Sequence, residues 1–294
     1  MKKNRILVSW MAALSFVAAT AQSLSPLPQR VVWGDKAFDQ PKNIAIKGAD
    51  EADVDAVALL RSNFGEGKKG IKVVIGERGD KAVKAYEAQI PNKVEGYYLS
   101  VGKNQVVIAG NDEAGTYYGV QTFLQMAAQA EVMKAEVQDW PDVLERGVVE
   151  GFYGNPWSHT DRLRQFDFYG KNKLNVYIYG PKDDPYHRNQ WREAYPEAEA
   201  ARISELAKAA AQNKVDFFIF HLSVGLNIQK AIEKIQPEYA VFSHAWELGH
   251  KVDKFRWTID DLLQTSGKIS NFPAERCLLP CWGEKILYTK TIQE

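Results

Sequence analysis

Cysteine is almost missing from this chain. There are 2 in 294 residues, Cys277 and Cys281, and both stand near the carboxyl end. A disulfide framework is thereby excluded for most of the protein, which must be held by a packed core. An excess of charge of either sign is missing too: Lys plus Arg and Asp plus Glu each number 37, for a formal net charge of +0. A balanced chain carries no overall field for nucleic acid or for an anionic membrane surface, and neither is expected as a partner. Internal repeats and low-complexity tracts are also lacking, and beyond residue 21 no apolar run is long enough to cross a bilayer. What remains, 45% hydrophobic and 25% charged residues, is the composition of an ordinary globular protein. The 8 Trp and 13 Tyr could stack on sugar rings or simply fill a core.

The apolar run that does occur stands at the start. Lys2, Lys3 and Arg5 form a basic segment, and Ile6 to Ala19 is apolar apart from Ser9 and Ser15. Ala19-Thr20-Ala21 then gives the small-x-small pattern of a signal-peptidase site. An uncleaved anchor is the competing reading, but the run is short for a span of about 20 residues. Cleavage before Gln22 is expected, leaving an exported protein, periplasmic or extracellular, with no membrane span.

Residues 22–144 read as a first α/β domain. Ile71 to Gly76 is a strand ending in a turn, and Gly96–Val101 with Gln105–Ala109 alternate around Lys103-Asn104 as a hairpin would. Asn111 or Asp112 can cap a helix whose apolar side is Tyr117, Val120, Phe123, Leu124 and Ala127. Trp140-Pro141 closes the domain. A second unit opens with the strand Gly147 to Phe152, and Pro156 is expected to start the helix that follows. Lys173 to Tyr179 is the next strand, Ala198 to Asn213 an amphipathic helix, and Val215 to Phe220 a third strand. Strands alternating with helices, with polar residues gathered at strand carboxyl ends, form the pattern of an α/β barrel's opening. Beyond Phe220 this beat fades into a tail, residues 221–294.

Several long strings carry a resemblance. Val148 to Trp157 (VVEGFYGNPW), Tyr169 to Tyr186 (YGKNKLNVYIYGPKDDPY) and Trp191-Arg192-Glu193 resemble the opening of the catalytic barrel of glycoside hydrolase family 84, the O-GlcNAcase and hyaluronidase type of β-N-acetylglucosaminidase. Ala109 to Phe123 (AGNDEAGTYYGVQTF) resembles the amino-terminal domain that this family shares with other hexosaminidases. The resemblance covers residues 22 to about 220. It implies an α/β fold: an amino-terminal hexosaminidase-type domain, then at 145–220 the first part of a (β/α)8 barrel. It further implies a substrate-assisted retaining mechanism on β-linked N-acetylglucosamine, an exception to the two-carboxylate scheme. The substrate's acetamido carbonyl attacks the anomeric carbon, while one of two adjacent aspartates orients the acetamido group and the other acts as acid and base. No cofactor is implied, and the expected partners are N-acetylglucosamine-containing glycans or glycoproteins.

By position, Gly151 matches the glycine whose carbonyl accepts from a sugar hydroxyl, and Lys182 the lysine that reaches the pyranose hydroxyls. A tight turn for Gly151 and a solvated loop charge for Lys182 are the competing readings. Asp183-Asp184 lies beside Lys182 and is expected to brace that loop. The catalytic pair of the family follows its fourth strand, and here the pattern departs. Glu238 to Phe242 is a plausible strand, yet Ser243-His244-Ala245 follows where two carboxylates are needed. Asp260-Asp261 is the remaining candidate, in competition with a helix start capped by Thr258. His244, His250, Cys277 and Cys281 could hold zinc, although their spacings fit no standard finger; a Cys277–Cys281 disulfide or two free thiols are the alternatives. A full barrel takes about 250 residues, against 149 from Arg146 to Glu294. The expected protein is therefore a family member truncated or rearranged after residue 220, weakly active or inactive.

Overall fold

The computed structural model describes residues 23–152, 154–187, 190 and 193–221, with the strands 239–242, 277–281 and 285–288. The leader expected over 1–21 lies outside these residues, and so do Asp260, Asp261, His244 and His250.

The first unit contains β1 (Arg30–Phe38), β2 (Asn43–Lys47), α1 (Val54–Asn63), β3 (Gly65–Glu66), β4 (Ile71–Glu77), β5 (Tyr97–Val101), β6 (Gln105–Gly110), α2 (Glu113–Ala127) and β7 (Val132–Asp139). Its seven strands lie in the order β1-β7-β5-β6-β4-β2-β3. The expected hairpin is present, with β5 and β6 antiparallel and Val101 opposite Val106. Strand alternation splits the apolar side chains between two faces. Val73, Ile75, Leu99, Val106 and Ile108 pack against Leu60, Val120 and Phe123 of α1 and α2, all fully buried. Each contributes about 1.5–3 kcal/mol of burial. Val74, Tyr98, Val107 and Ala109 point the other way, onto Val83 and Ile90.

Helix α2 starts where its cap allows. Asp112 is extended, and its side chain accepts from the Gly115 backbone N–H at 2.8 Å, satisfying a donor the first helical turn leaves open. Gly115 must be small, because a Cβ there would sit 2.2 Å from the Gly96 carbonyl oxygen. The helix thus lies flush on the sheet. β7 ends at Asp139, immediately before Trp140-Pro141.

The second sheet is built from β8 (Gly147–Glu150), α3 (His159–Lys171), β9 (Val176–Tyr179), α4 (Glu197–Gln212), β10 (Asp216–His221), β11 (Tyr239–Phe242), β12 (Cys277–Cys281) and β13 (Lys285–Tyr288). Its order is β13-β12-β11-β10-β9-β8. Strands β8 to β12 are parallel in turn, and β13 returns antiparallel. Helices α3 and α4 cover one face, packing Phe166, Tyr169, Ile203, Leu206 and Ala210 on Tyr177, Phe217 and Ile219. Gly147 lets β8 approach β9, since a Cβ would meet the Val176 carbonyl oxygen at 1.7 Å.

Three expectations are corrected. Helix α3 begins at His159 and not at Pro156, because Ser158 can accept from the Asp161 N–H at 3.1 Å and so caps the helix. The strand expected from Lys173 begins only at Val176. Lys173 has φ +58, a left-handed conformation that ends α3 and cannot continue as a strand. The segment past Phe220 is richer in strands than its pattern indicated: besides β11, where Glu238 to Phe242 already reads as a plausible strand, it supplies β12 and β13.

Buried ion pairs join the two units. Lys173 Nζ lies 2.7 Å from Asp139 and 2.9 Å from the Tyr97 hydroxyl. Arg146 meets Glu95 at 2.5 Å, and Lys214 reaches Asp53 and Asp55 at 2.6 and 2.9 Å. These contacts stand at the amino ends of the second sheet's strands. The carboxyl ends of those strands lie opposite.

Candidate functional site

Glu150 and Tyr179 are register partners at the carboxyl ends of β8 and β9. The Gly180 N–H donates to the Glu150 carbonyl at 3.1 Å, which locks the two strand exits together. Gly151 leaves the first exit, and Pro181-Lys182-Asp183-Asp184 leaves the second. A bond from the Asp184 N–H to the Pro181 carbonyl, 3.1 Å, closes a turn around Lys182. The structure therefore brings the two residues singled out for sugar contact to neighbouring strand ends.

Nothing in the fold itself demands glycine at 151. Its φ lies outside the left-handed range, and a Cβ would meet only Val149 Cγ1 at 3.5 Å and the Gly180 oxygen at 4.0 Å. The left-handed turn of this loop is at Gly154, φ +115. No positive φ and no close contact requires a glycine at 151. Lys182 is half-buried and Asp183 exposed. Asp184 is buried and fully engaged: it accepts from the Tyr186 N–H at 2.8 Å, the Tyr195 hydroxyl at 2.8 Å and the Tyr179 hydroxyl at 3.2 Å. It braces the Lys182 turn, as its place in the sequence implies.

A second buried carboxylate was not singled out from sequence. Glu150 is 0% exposed. Arg162 of α3 grips it through both fork nitrogens, at 2.8 and 2.7 Å, and the Tyr177 hydroxyl donates to it as well. The Arg162 guanidinium lies 5.1 Å from the centre of the Tyr179 ring. Burial works against the guanidinium charge, but the Glu150 hydrogen bonds outweigh it and hold the group firmly protonated. Burial, followed by the neighbouring carboxylates, pushes the hydroxyls of Tyr177, Tyr179 and Tyr195 well above the usual tyrosine range, so all three stay donors. The available signal was a lone acid in an apolar strand, with arginines in the helix after it.

The acid–base half of the site is a different matter. β11 is the fourth of the parallel strands, and the residues after its end in sequence, Ser243-His244-Ala245, include no carboxylate. Asp260 and Asp261 fall outside the described residues. Among the described residues no cluster of three or more His, Cys, Asp or Glu side chains could hold a metal, and no helix is long and apolar enough to cross a membrane. Cys277 and Cys281 occupy the two ends of β12.

Comparisons with known proteins place these strands. The family model described as beta-N-acetylglucosaminidase matches residues 146–272, and that for glycosyl hydrolase family 20, domain 2, matches residues 21–140. The solved structure of CpGH84B is 32% identical, with a TM-score of 0.63, over 76% of this chain and 44% of that one. The chain is thus similar to the family 84-type hexosaminidases. CpGH84D has the same fold, at 20% identity and a TM-score of 0.67 over 84% of this chain and 47% of that one. Among curated relatives, the Protein O-GlcNAcase of Rattus norvegicus is 46% identical over 82 residues, 28% of this chain but 9% of its own length. The Beta-hexosaminidase of Porphyromonas gingivalis is 29% identical over 132 residues, 44% of this chain and 16% of the relative. The chain thus spans less than half of each of these proteins.

Proposed function

We propose that this protein is exported and recognises β-linked N-acetylglucosamine on glycans or glycoproteins, and that residues 145–220 open a (β/α)8 barrel whose mouth holds the sugar. The observation that carries this reading is the pairing of Gly151 and Lys182 at adjacent strand exits, within strings shared with a hexosaminidase family. The Gly151 carbonyl would accept from one sugar hydroxyl, and the Lys182 ammonium would donate to others. Residues 22–144 serve as the supporting amino-terminal domain, with 1–21 as a cleaved export leader.

Hydrolysis in this family type would proceed through attack by the substrate's own acetamido oxygen, with expulsion of the leaving group and formation of an oxazoline. That step needs one carboxylate to orient the acetamido N–H and another to protonate the leaving oxygen. General acid catalysis alone contributes about 10²–10⁴-fold. The stretch after β11 lacks both carboxylates, which favours a second reading for this chain: binding of N-acetylhexosamines with little or no turnover. Asp260 and Asp261 are the remaining candidates for the catalytic pair. The test is turnover of a chromogenic β-N-acetylglucosaminide by the purified chain and by its Asp260→Asn and Asp261→Asn variants. Turnover near background is expected. Robust wild-type activity abolished in both variants would make that pair the catalytic dyad.

A further inference from the structure

The buried charges beneath the site do more than fill space. Glu150 ends β8 one residue before Gly151, and Tyr179 ends β9 three residues before Lys182. Arg162 touches both: its fork holds Glu150 at 2.7 and 2.8 Å, and its guanidinium lies against the Tyr179 ring at 5.1 Å. Tyr179 passes the connection on through its hydroxyl to Asp184, which Tyr195 grips from the far side of the loop. One unbroken chain of contacts thus runs from the strand end before Gly151 to the turn that carries Lys182.

Such an arrangement is costly if its purpose is stability. Desolvating a carboxylate and a guanidinium offsets most of their attraction, and apolar side chains of similar volume commonly serve a core as well or better. What a bidentate pair adds is direction, because its geometry tolerates little rotation. A ligand held between a backbone carbonyl and an ammonium needs that direction, since displacements of about 1 Å are felt.

We infer that Arg162 is a positioning residue for sugar recognition, setting the spacing between the Gly151 carbonyl and the Lys182 ammonium through Glu150 and through Tyr179–Asp184. This inference rests on the sugar-binding reading above. Arg162 itself lies on the helix side of the sheet and does not contact the ligand.

The test uses the full chain and N-acetylglucosamine as the probe, with affinities from calorimetry. Arg162→Met is expected to weaken binding at least tenfold, and Arg162→Lys, which keeps the charge but loses the fork, by an intermediate factor. If Arg162 acts through the Lys182 turn, Arg162→Met combined with Lys182→Ala binds no worse than Lys182→Ala alone. A merely structural contribution would instead give multiplying losses. Hydrogen exchange over residues 180–186 supplies a second measurement, independent of ligand. It should accelerate in Arg162→Lys, while residues 97–110 of the first unit stay protected. A wild type that fails to bind the sugar overturns the functional reading. A wild type that binds, with unchanged affinity in Arg162→Met or unchanged exchange at 180–186 in Arg162→Lys, overturns the positioning role alone. Should Arg162→Met not fold, Tyr195→Phe replaces it, with the same non-additivity against Lys182→Ala required.

Discussion

Replacing Lys173 by Met should cost this protein more stability than any surface change of equal chemistry. The Lys173 side chain is 6% exposed and its partner Asp139 10%. The ammonium meets Asp139 at 2.7 Å and the Tyr97 hydroxyl at 2.9 Å, and it lies 5.0 Å from the centre of the Tyr97 ring. In Lys173→Met the Asp139 carboxylate stays buried, keeping the Gln29 N–H at 3.1 Å and the Tyr97 hydroxyl at 3.1 Å. Two neutral donors do not replace an ammonium, and breaking a buried pair from one side typically costs about 3–5 kcal/mol. The exposed pair Arg61–Glu66, with side chains 51% and 47% exposed, sets the contrast. Pairs of that kind contribute about 0–1 kcal/mol.

The double variant Lys173→Met with Asp139→Leu leaves no stranded charge, and it should recover most of the loss. The coupling between the two sites is expected to exceed about 2 kcal/mol. Urea unfolding followed by circular dichroism measures all four corners of the cycle. A Lys173→Met variant within about 1 kcal/mol of wild type, or strictly additive single changes, would refute the reasoning. There is a pH signature as well. Burial first, against the pull of Asp139, lowers the Lys173 pKa from 10.5. A lowered pKa means that the folded protein holds fewer protons than the unfolded chain between the folded value and 10.5. The Lys173 contribution is therefore smallest below the folded pKa and grows as pH rises through that window. The stability gap between wild type and Lys173→Met should widen accordingly on the alkaline side.

Three further outcomes are expected. Lys182→Ala should weaken N-acetylglucosamine binding by about 1.5–3 kcal/mol, the scale of a charge-assisted hydrogen bond, and equal affinities by calorimetry would return Lys182 to the role of a solvated loop charge. Gly151→Ala should leave the melting temperature nearly unchanged while reducing sugar affinity, because its Cβ meets no protein atom closer than 3.5 Å; Gly147→Ala should fail in the opposite way, its Cβ landing 1.7 Å from a strand carbonyl.

The first unit was legible because its signals are local. The alternating apolar residues of β4, β5 and β6, and the cap at Asp112, need nothing beyond short-range sequence to be read. The errors fell where tertiary contacts overrode pattern. Lys173 opens a run, Lys173 to Tyr179, that reads as strand, yet its ammonium is drawn to Asp139 and its backbone turns left-handed. Pro156 is a fair helix opener in isolation, and Ser158 displaces it by offering a hydroxyl to an open N–H. In the candidate site, Gly151 and Lys182 were singled out through the strings around them. Glu150 and Arg162 were not singled out, because what distinguishes them is complete burial and a mutual grip, and neither is visible along the chain.

On the proposed reading, recognition and bond cleavage would be carried by different strand exits, and this is why they could part company. Gly151 and Lys182 depend on β8, β9 and the contacts among Glu150, Arg162, Tyr179 and Asp184, all within one contiguous stretch. Proton transfer depends on carboxylates that the family pattern puts beyond the fourth strand, where this chain has Ser243-His244-Ala245. A change after β11 would therefore affect acid–base chemistry without touching a hydrogen bond of the first two exits. The converse does not hold. Loosening the Glu150–Arg162 grip would displace the sugar from any catalytic pair, so turnover depends on recognition. Recognition does not depend on turnover. The measurement that separates them is binding of N-acetylglucosamine without hydrolysis of its glycoside, and this distribution of residues predicts that combination for this chain.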